Sequence, residues 1–319
     1  MDVTMTYQTQ EWWTWWLAVY LYLGGMGAAV LVVAFLSDMY IKPYPRLVLW
    51  GALSGIAMLG VGSMMLFGHL LDHLAAIHVL NPLVLLRKPD AWIAWGTQFI
   101  LWMMIWGLLY ALPHIDETRI AHRLPWLKGV WRWRWIGWLT RCCGRYHRFI
   151  GWMATINGIG TAVYTGLLLQ SFPAVALWHN PGVPLLFTVS AFSTALAYLL
   201  IVLNLMNRGP EDDALRHFYE RLDLMLIAGE LVILFSFYHY MKAGSESAMR
   251  SWDLLWNDMG WLIGFIGIGL LVPFALELKG VLKGWSSRIP IVTASVLVLV
   301  GGYLLRHYFM YAGVYSYPW

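Results

Sequence analysis

WWTWWLAVYLYLGGMGAAVLVVAFL, residues 12 to 36, runs without one charged side chain. A bilayer's hydrocarbon core is about 30 Å thick, and a helix rising about 1.5 Å per residue needs about 20 apolar residues to cross it. This run suffices, and it sets the solvent against which the rest of the chain is read. Seven similar runs follow, at roughly 47 to 71, 91 to 113, 149 to 171, 183 to 206, 221 to 241, 257 to 279 and 289 to 312. The breaks between runs carry Pro, Gly and charge: KPYPR (42 to 46), RKPD (87 to 90), NPGVP (180 to 184) and NRGPEDD (207 to 213). The expected fold is therefore an all-α integral membrane protein with eight transmembrane helices.

Composition agrees. The 319 residues are 60% apolar and 12% charged, whereas a soluble domain carries about 25% charged residues. The net charge of +4 is read as topology before it is read as an anionic partner, so no nucleic acid is expected. With the N terminus outside, cytoplasmic loops hold sixteen of the 21 Lys and Arg residues, including eight between Arg119 and Arg148. Both termini should then be extracytoplasmic, in the cytoplasmic (inner) membrane. A start that contains Asp2 and lacks basic residues, followed by an apolar run too long for an h-region, argues against a cleavable signal peptide.

Aromatic clusters flank the spans. EWWTWW (11 to 16) and YSYPW (315 to 319) fall on the predicted outer face, and WRWRWIGW (131 to 138) lies in the longest cytoplasmic loop. Such residues suit the headgroup layer, with a subunit interface as the sharper alternative for the outer pair. LAAIHVLNPLVLL (74 to 86) is apolar but interrupted by Pro, and reads as an outer-leaflet segment or a docking surface. Gly51 and Gly55, Gly158 with Thr161 and Ala162, and Gly260 with Gly264 form small-residue stripes suited to close helix packing.

Ionisable groups at membrane depth are costly and point to function. Asp223 and Glu230 are seven residues apart, about 10 Å along one helix face, and Arg306 lies in the outer half of the last run. These form either a polar file that passes protons or a structural ion pair. A second concentration lies at the predicted outer ends of the first four runs: YLYLGGMGAA (20 to 29), HLLDH (69 to 73), AWIAWGTQ (91 to 98) and VYTG (163 to 166). Glycines open backbone space, aromatic faces offer a flat slot, and His69, Asp72, Tyr20 and Tyr164 exchange protons or donate hydrogen bonds. That combination suits a quinone head, whose oxygens gain protons when two electrons arrive. Surface, cap and belt roles remain the alternatives for each of these residues.

His69 and His73 are four apart without an evident third ligand, so no metal is assigned. The remaining histidines lie at run ends or in loops, which disfavours haem. The only two cysteines, Cys142 and Cys143, are adjacent, so an iron-sulfur centre must belong to a partner.

Taken in order, YLYLGGMGAA (20 to 29), HLLDH with the following NP and RKPDAWIAWG (81 to 96), VYTGLLL (163 to 169), VPLLFTVSAFSTALA (183 to 197), LDLMLIAGELVILFSFY (222 to 238) and GGYLLRHYFMYAG (301 to 313) resemble the NrfD / polysulfide reductase C family of quinone-reactive membrane subunits. The resemblance covers nearly the whole chain. It implies two four-helix bundles, residues 1 to 171 with a quinone pocket on the outer side and residues 172 to 319 with a possible proton path. It also points to His69, Asp72 and Tyr164 as the reacting set, with Tyr20, Gly25, Trp95 and Gly96 around a menaquinone or ubiquinone. The chain departs from the family where relatives follow helix 2 with Asp-Leu-Gly-Arg-Pro, since here His73 follows Asp72, and where they carry His or Asn in helix 1, since here Tyr20 and Leu17 stand.

The function implied is electron exchange between the quinone pool and an extracytoplasmic four-cluster iron-sulfur subunit. A molybdopterin catalytic subunit or multihaem cytochrome would lie beyond it, as in anaerobic respiration, and this chain would hold no haem or cluster of its own. A passive membrane anchor and a secondary transporter are the competing readings. Matched broken helices, the best pointer to transport, are not evident.

Overall fold

Long apolar runs joined by short polar breaks favour neighbouring helices that alternate in direction. The computed structural model describes residues 5–69, 78–117, 133–206, 211–283 and 288–318. Strand β1 (Met5–Thr9) leads into α1 (Trp15–Leu36), which ends in a π-helical turn, Ser37–Ile41. Then come α2 (Pro45–His69), the short α3 (Leu83–Arg87), α4 (Trp92–Glu117), α5 (Arg134–Arg145) and α6 (His147–Gln170). The second half holds α7 (Gly182–Met206), α8 (Glu211–Lys242), α9 (Glu246–Trp256), α10 (Gly260–Lys283, π-wound as far as Leu271), α11 (Ile289–Tyr311) and β2 (Val314–Pro318).

Among the described residues, seven of these helices are long and apolar enough to cross a membrane: α1 with its π turn, α2, α4, α7, α8, α10 and α11. The chain is a multi-pass integral membrane protein. Its outer surface is consistent with lipid as solvent, for Met64, Leu205, Met225 and Phe235 are 75%, 82%, 69% and 65% exposed. The predicted run at 149 to 171 is present as α6, 24 residues long, but is not among the seven. Its sequence is diluted by Arg148, Thr155, Asn157, Thr161 and Thr165. It packs against α1, α4 and α7, and a helix enclosed by protein on several sides need not be apolar all round.

Helix α1 touches α2, α6, α7 and α11 and buries nearly every residue from Leu17 to Phe35. Contacts α1 to α2, α2 to α4, α4 to α6 and α6 to α1 close one ring; α7, α8, α10 and α11 close a second. The stripe at Gly51 and Gly55 packs on α1, where an added Cβ would come within 2.7 Å of Ala34 and of Leu31. Lipid supplies no hydrophobic drive between helices, so such close backbone approach is what holds them.

The two ends of the polypeptide meet in a two-stranded antiparallel sheet, with Met5 opposite Pro318 and Thr9 opposite Val314. Gln10 Nε2 donates to the Met310 carbonyl at 2.6 Å, and Trp13 stacks at 5.2 Å on Trp178, whose indole donates to the Phe309 carbonyl. The aromatic ends expected as belts therefore also form a clasp at one end of the bundle. Neither strand shows itself locally, because each finds its partner at the other end of the chain.

Three further differences are informative. Helix α8 begins ten residues before the predicted run, at Glu211, since acidic residues suit a helix N-terminus and Arg216 pairs with Asp213 at 3.0 Å. Arg216 and Arg221 thus sit on a helix rather than in a loop. Helix α5 is amphipathic, with Trp135 and Trp138 exposed, as is Trp133 just before it, while Thr140 and Cys143 are buried, a shape suited to the interfacial role expected of this stretch. Of the segment 74 to 86, residues 74 to 77 lie outside the described residues, and the remainder is a surface turn and α3 with Leu83 and Leu86 exposed.

Candidate functional site

Tyr20 lies two turns into α1, Tyr164 two turns from the end of α6, and Gly96 one turn into α4. Because these helices share an end, the three residues fall at one depth and meet. The Tyr20 hydroxyl donates to the Tyr164 hydroxyl at 3.1 Å, and each tyrosine is only 1% exposed. A Cβ added at Gly96 would overlap the Tyr164 ring, so Gly96 is what allows α4 to lie against that ring. In such a pair one O–H is spent on the other oxygen, and the second phenol retains a proton that the pair does not use.

Trp95, beside Gly96, is half-buried and donates its indole N–H to the Pro89 carbonyl at 2.9 Å, pinning the start of α4. His69 closes α2 at this same end. Asp72 and His73 lie outside the described residues. The four segments singled out in the sequence thus contribute Tyr20, Gly96 and Tyr164 to one contact, with Trp95 beside it and His69 at a neighbouring helix end.

Gly25 connects this contact to the second half. A Cβ there would lie 3.7 Å from Thr165 Oγ1, next to Tyr164, and 3.8 Å from Arg306 Nη2. Arg306 is fully buried; it donates to Ser190 Oγ at 2.9 Å and to the carbonyls of Gly302 and Phe187 at 2.7 and 3.1 Å. Its guanidinium also faces the Tyr22 ring at 5.7 Å. Buried Glu230 borders the same small cavity as Ser190 and makes no direct ion pair with Arg306 among the described residues, so the expected countercharge acts on it across Ser190.

Glu230 Oε1 has no hydrogen-bond partner and borders a cavity of about 10 Å³ between Ser190, Ser193 and Gly301, about the size of one water. Beyond that cavity Asp223, fully buried, accepts from Ser193 Oγ at 2.7 Å. Sequence reading missed two further members. Glu277 from α10 is buried facing Asp223, and Glu220, buried one turn before Asp223, lies 3.6 Å from Arg216 and 3.1 Å from His217. Glu277 sits near a predicted run end beside Lys279, where a solvated carboxylate is the ordinary expectation. Its one legible signal is the apolar ALEL around it.

Burying four carboxyl groups and one guanidinium among apolar helices costs several kcal/mol per uncompensated ion, so such a series is retained against a penalty. Its order, from the end opposite the termini towards the terminal end, is Glu220, Glu277 with Asp223, Glu230 and Arg306.

Comparison with known proteins agrees with this architecture along the whole sequence. The family described as "Polysulphide reductase, NrfD" matches residues 3–317. "Protein NrfD" of Escherichia coli (strain K12) is 26% identical over 317 residues, covering 94% of both proteins. "Protein NrfD homolog" of Haemophilus influenzae and the C subunit of polysulfide reductase of Wolinella succinogenes are each 23% identical over 316 residues, again covering 94% of both proteins. The chain belongs to the polysulphide reductase NrfD family.

Proposed function

We propose that the chain is the quinone-reactive membrane subunit of a respiratory oxidoreductase. In this reading it exchanges electrons between the membrane quinone pool and an extracytoplasmic iron-sulfur partner, with a molybdopterin subunit or multihaem cytochrome beyond. All eight predicted runs then cross the inner membrane, α6 included, with both termini outside. The helix rings support a division near residue 171 into a quinone-binding half and a proton-conducting half. A relative named as the C subunit of polysulfide reductase supports assembly with further subunits.

The observation that carries the reading is the buried Tyr20–Tyr164 pair held against Gly96. Reducing a quinone adds two electrons and two protons and leaves a hydroquinone; oxidising it reverses both. The retained phenolic proton of the pair suits a hydrogen bond to a quinone oxygen; His69, which closes α2 at that end, and Asp72, three residues on in the sequence, are the candidates for proton exchange. The series from Glu220 to Arg306 supports a path along which protons reach or leave that site from the opposite face. A water beside Glu230 Oε1 would connect the glutamate to Ser193 and Asp223.

Quenching of tryptophan fluorescence by a quinol analogue tests the site in the purified protein. Saturable binding is expected, weakened about 3- to 10-fold in Tyr164→Phe, the loss of one hydrogen bond, and weakened also in His69→Ala. A signal that never saturates leaves an anchor or a transporter. For the path, Glu230→Gln should slow quinone-linked turnover by at least about tenfold with assembly intact; unchanged turnover and proton stoichiometry would reduce Glu230 to packing.

A further inference from the structure

Three ligand-type side chains from three helices meet at the end of the first ring opposite the tyrosine pair. Asp38 lies in the π-helical turn after α1, His114 near the end of α4 just past Pro113, and His147 at the first position of α6. His114 Nε2 lies 3.1 Å from His147 Nε2 and 3.4 Å from Asp38 Oδ2, and His147 Nε2 lies 3.8 Å from that same oxygen. Ligands about 2.1 Å from a common divalent ion stand about 3.0 to 3.4 Å apart, from octahedral to tetrahedral angles. Two sides of the triangle have the dimensions that one ion between the three atoms would impose, and the third, at 3.8 Å, needs His147 to move in by a few tenths of an ångström.

We propose that Asp38, His114 and His147 form a mononuclear site for a divalent first-row transition metal, with Zn²⁺ as the reference ion. The donor set, two imidazoles and one carboxylate, is the kind that binds such ions with a coordination position left over. That position faces a cavity of about 330 Å³ bounded by Pro43, Gly144 and Arg148, which gives an ion an entry path and leaves room for water or a small anion as a further ligand. The surroundings are built to hold the carboxylate. Tyr110 donates to Asp38 Oδ2 at 2.8 Å, the Tyr44 amide donates to Oδ1 at 3.0 Å, and the Tyr110 ring stacks on His147 at 4.1 Å. Such outer contacts orient the primary ligands of metal centres. Asp38 and His114 are 7% and 4% exposed, while His147 reaches the cavity. An ion here would tie α1, α4 and α6 together far from the tyrosines.

The test uses the full-length protein in detergent or nanodiscs, stripped of metal and titrated with Zn²⁺ against a chromophoric chelator. One saturable site per molecule is expected. Affinity should fall more than about 100-fold in His114→Ala and His147→Ala, and about 10- to 100-fold in Tyr110→Phe, which keeps all three ligands but removes the hydrogen bond to Asp38 Oδ2. His179→Ala, at the terminal end, should leave it unchanged. X-ray absorption at the cobalt edge of the wild-type protein loaded with Co²⁺ should report two imidazoles, and it needs no variant to fold. Binding below one ion per molecule, affinity indifferent to both histidines, or fewer than two imidazoles would overturn the site and leave a hydrogen-bonded triad.

Discussion

Two of the polar regions inside this bundle solve burial in opposite ways. The Tyr20–Tyr164 pair is neutral, with one O–H spent on the other oxygen and one left over, so keeping it in an apolar interior costs far less than burying a charge. The series Glu220, Glu277, Asp223, Glu230 and Arg306 consists of ionisable groups, and Glu230 Oε1 finds no partner. A neutral pair is as easily structural as functional, whereas a buried ionisable series is retained against a penalty. The tyrosines gain meaning from their surroundings: the Gly96 backbone lies against the Tyr164 ring, and Gly25, beside the adjoining Thr165, leads on to Arg306.

The strongest way to break this contrast is to remove Arg306. Arg306→Leu leaves Glu230 without its neighbouring positive charge and strips donors from Ser190 and Phe187; a loss of about 3 to 5 kcal/mol is expected, seen as a collapse of the yield of folded protein. Adding Glu230→Gln should restore part of that yield if the two groups are coupled through Ser190. Purely additive losses would show them to be independent.

A smaller effect is expected at the neutral pair. Gly96→Leu places a side chain where the Tyr164 ring lies and should cost about 1 to 3 kcal/mol of stability from overpacking. It should also abolish saturable quinol-analogue binding, while the same change at Gly60, whose added Cβ would meet nothing within 4 Å, should leave binding intact. If both variants bind alike, the ring is not part of the site.

The smallest effect lies outside the membrane depth, in the clasp. Tyr7 donates to Glu246 at 2.9 Å, and Arg250 donates to the same carboxylate at 2.7 Å. The Arg250 bond, aided by Tyr7, holds the Glu246 carboxyl below its usual range, while the bond to Glu246 raises the Tyr7 phenol. A lowered carboxyl stabilises above its ordinary titration range and ceases to do so as pH falls through the lowered value. Protection of the β1 amides, each rate taken relative to the intrinsic exchange rate at the same pH, should therefore fall at acid pH in the wild type, and Glu246→Gln should show the same modestly lower protection at neutral and acid pH. A wild-type strand indifferent to acid would remove the clasp's ionic component.

Much of the fold is legible because a bilayer imposes a length. Each predicted run corresponds to a long helix, with the largest error at the start of α8, where charge reads as loop although acidic residues and i, i+3 pairing suit a helix's first turns. Tyr20, Gly96 and Tyr164 stand out because glycines and aromatics recur at matching distances from run ends. Asp223, Glu230 and Arg306 stand out because charge is rare at that depth. Glu277 and Glu220 do not, since near a run end nothing in local sequence separates a buried carboxylate from a solvated one. Asp38, His114 and His147 escape for the same reason.

The sequence by itself determined the solvent, the length and number of the apolar runs and the rarity of charge within them, because the hydrophobic thickness of a membrane acts on each segment separately. Only the tertiary structure decided which of those segments touch. It set Glu277 facing Asp223, Gly25 between Thr165 and Arg306, and one carboxylate within reach of two imidazoles. Those meetings depend on the rotation and crossing of helices distant in sequence, which side-chain packing fixes and linear spacing does not record.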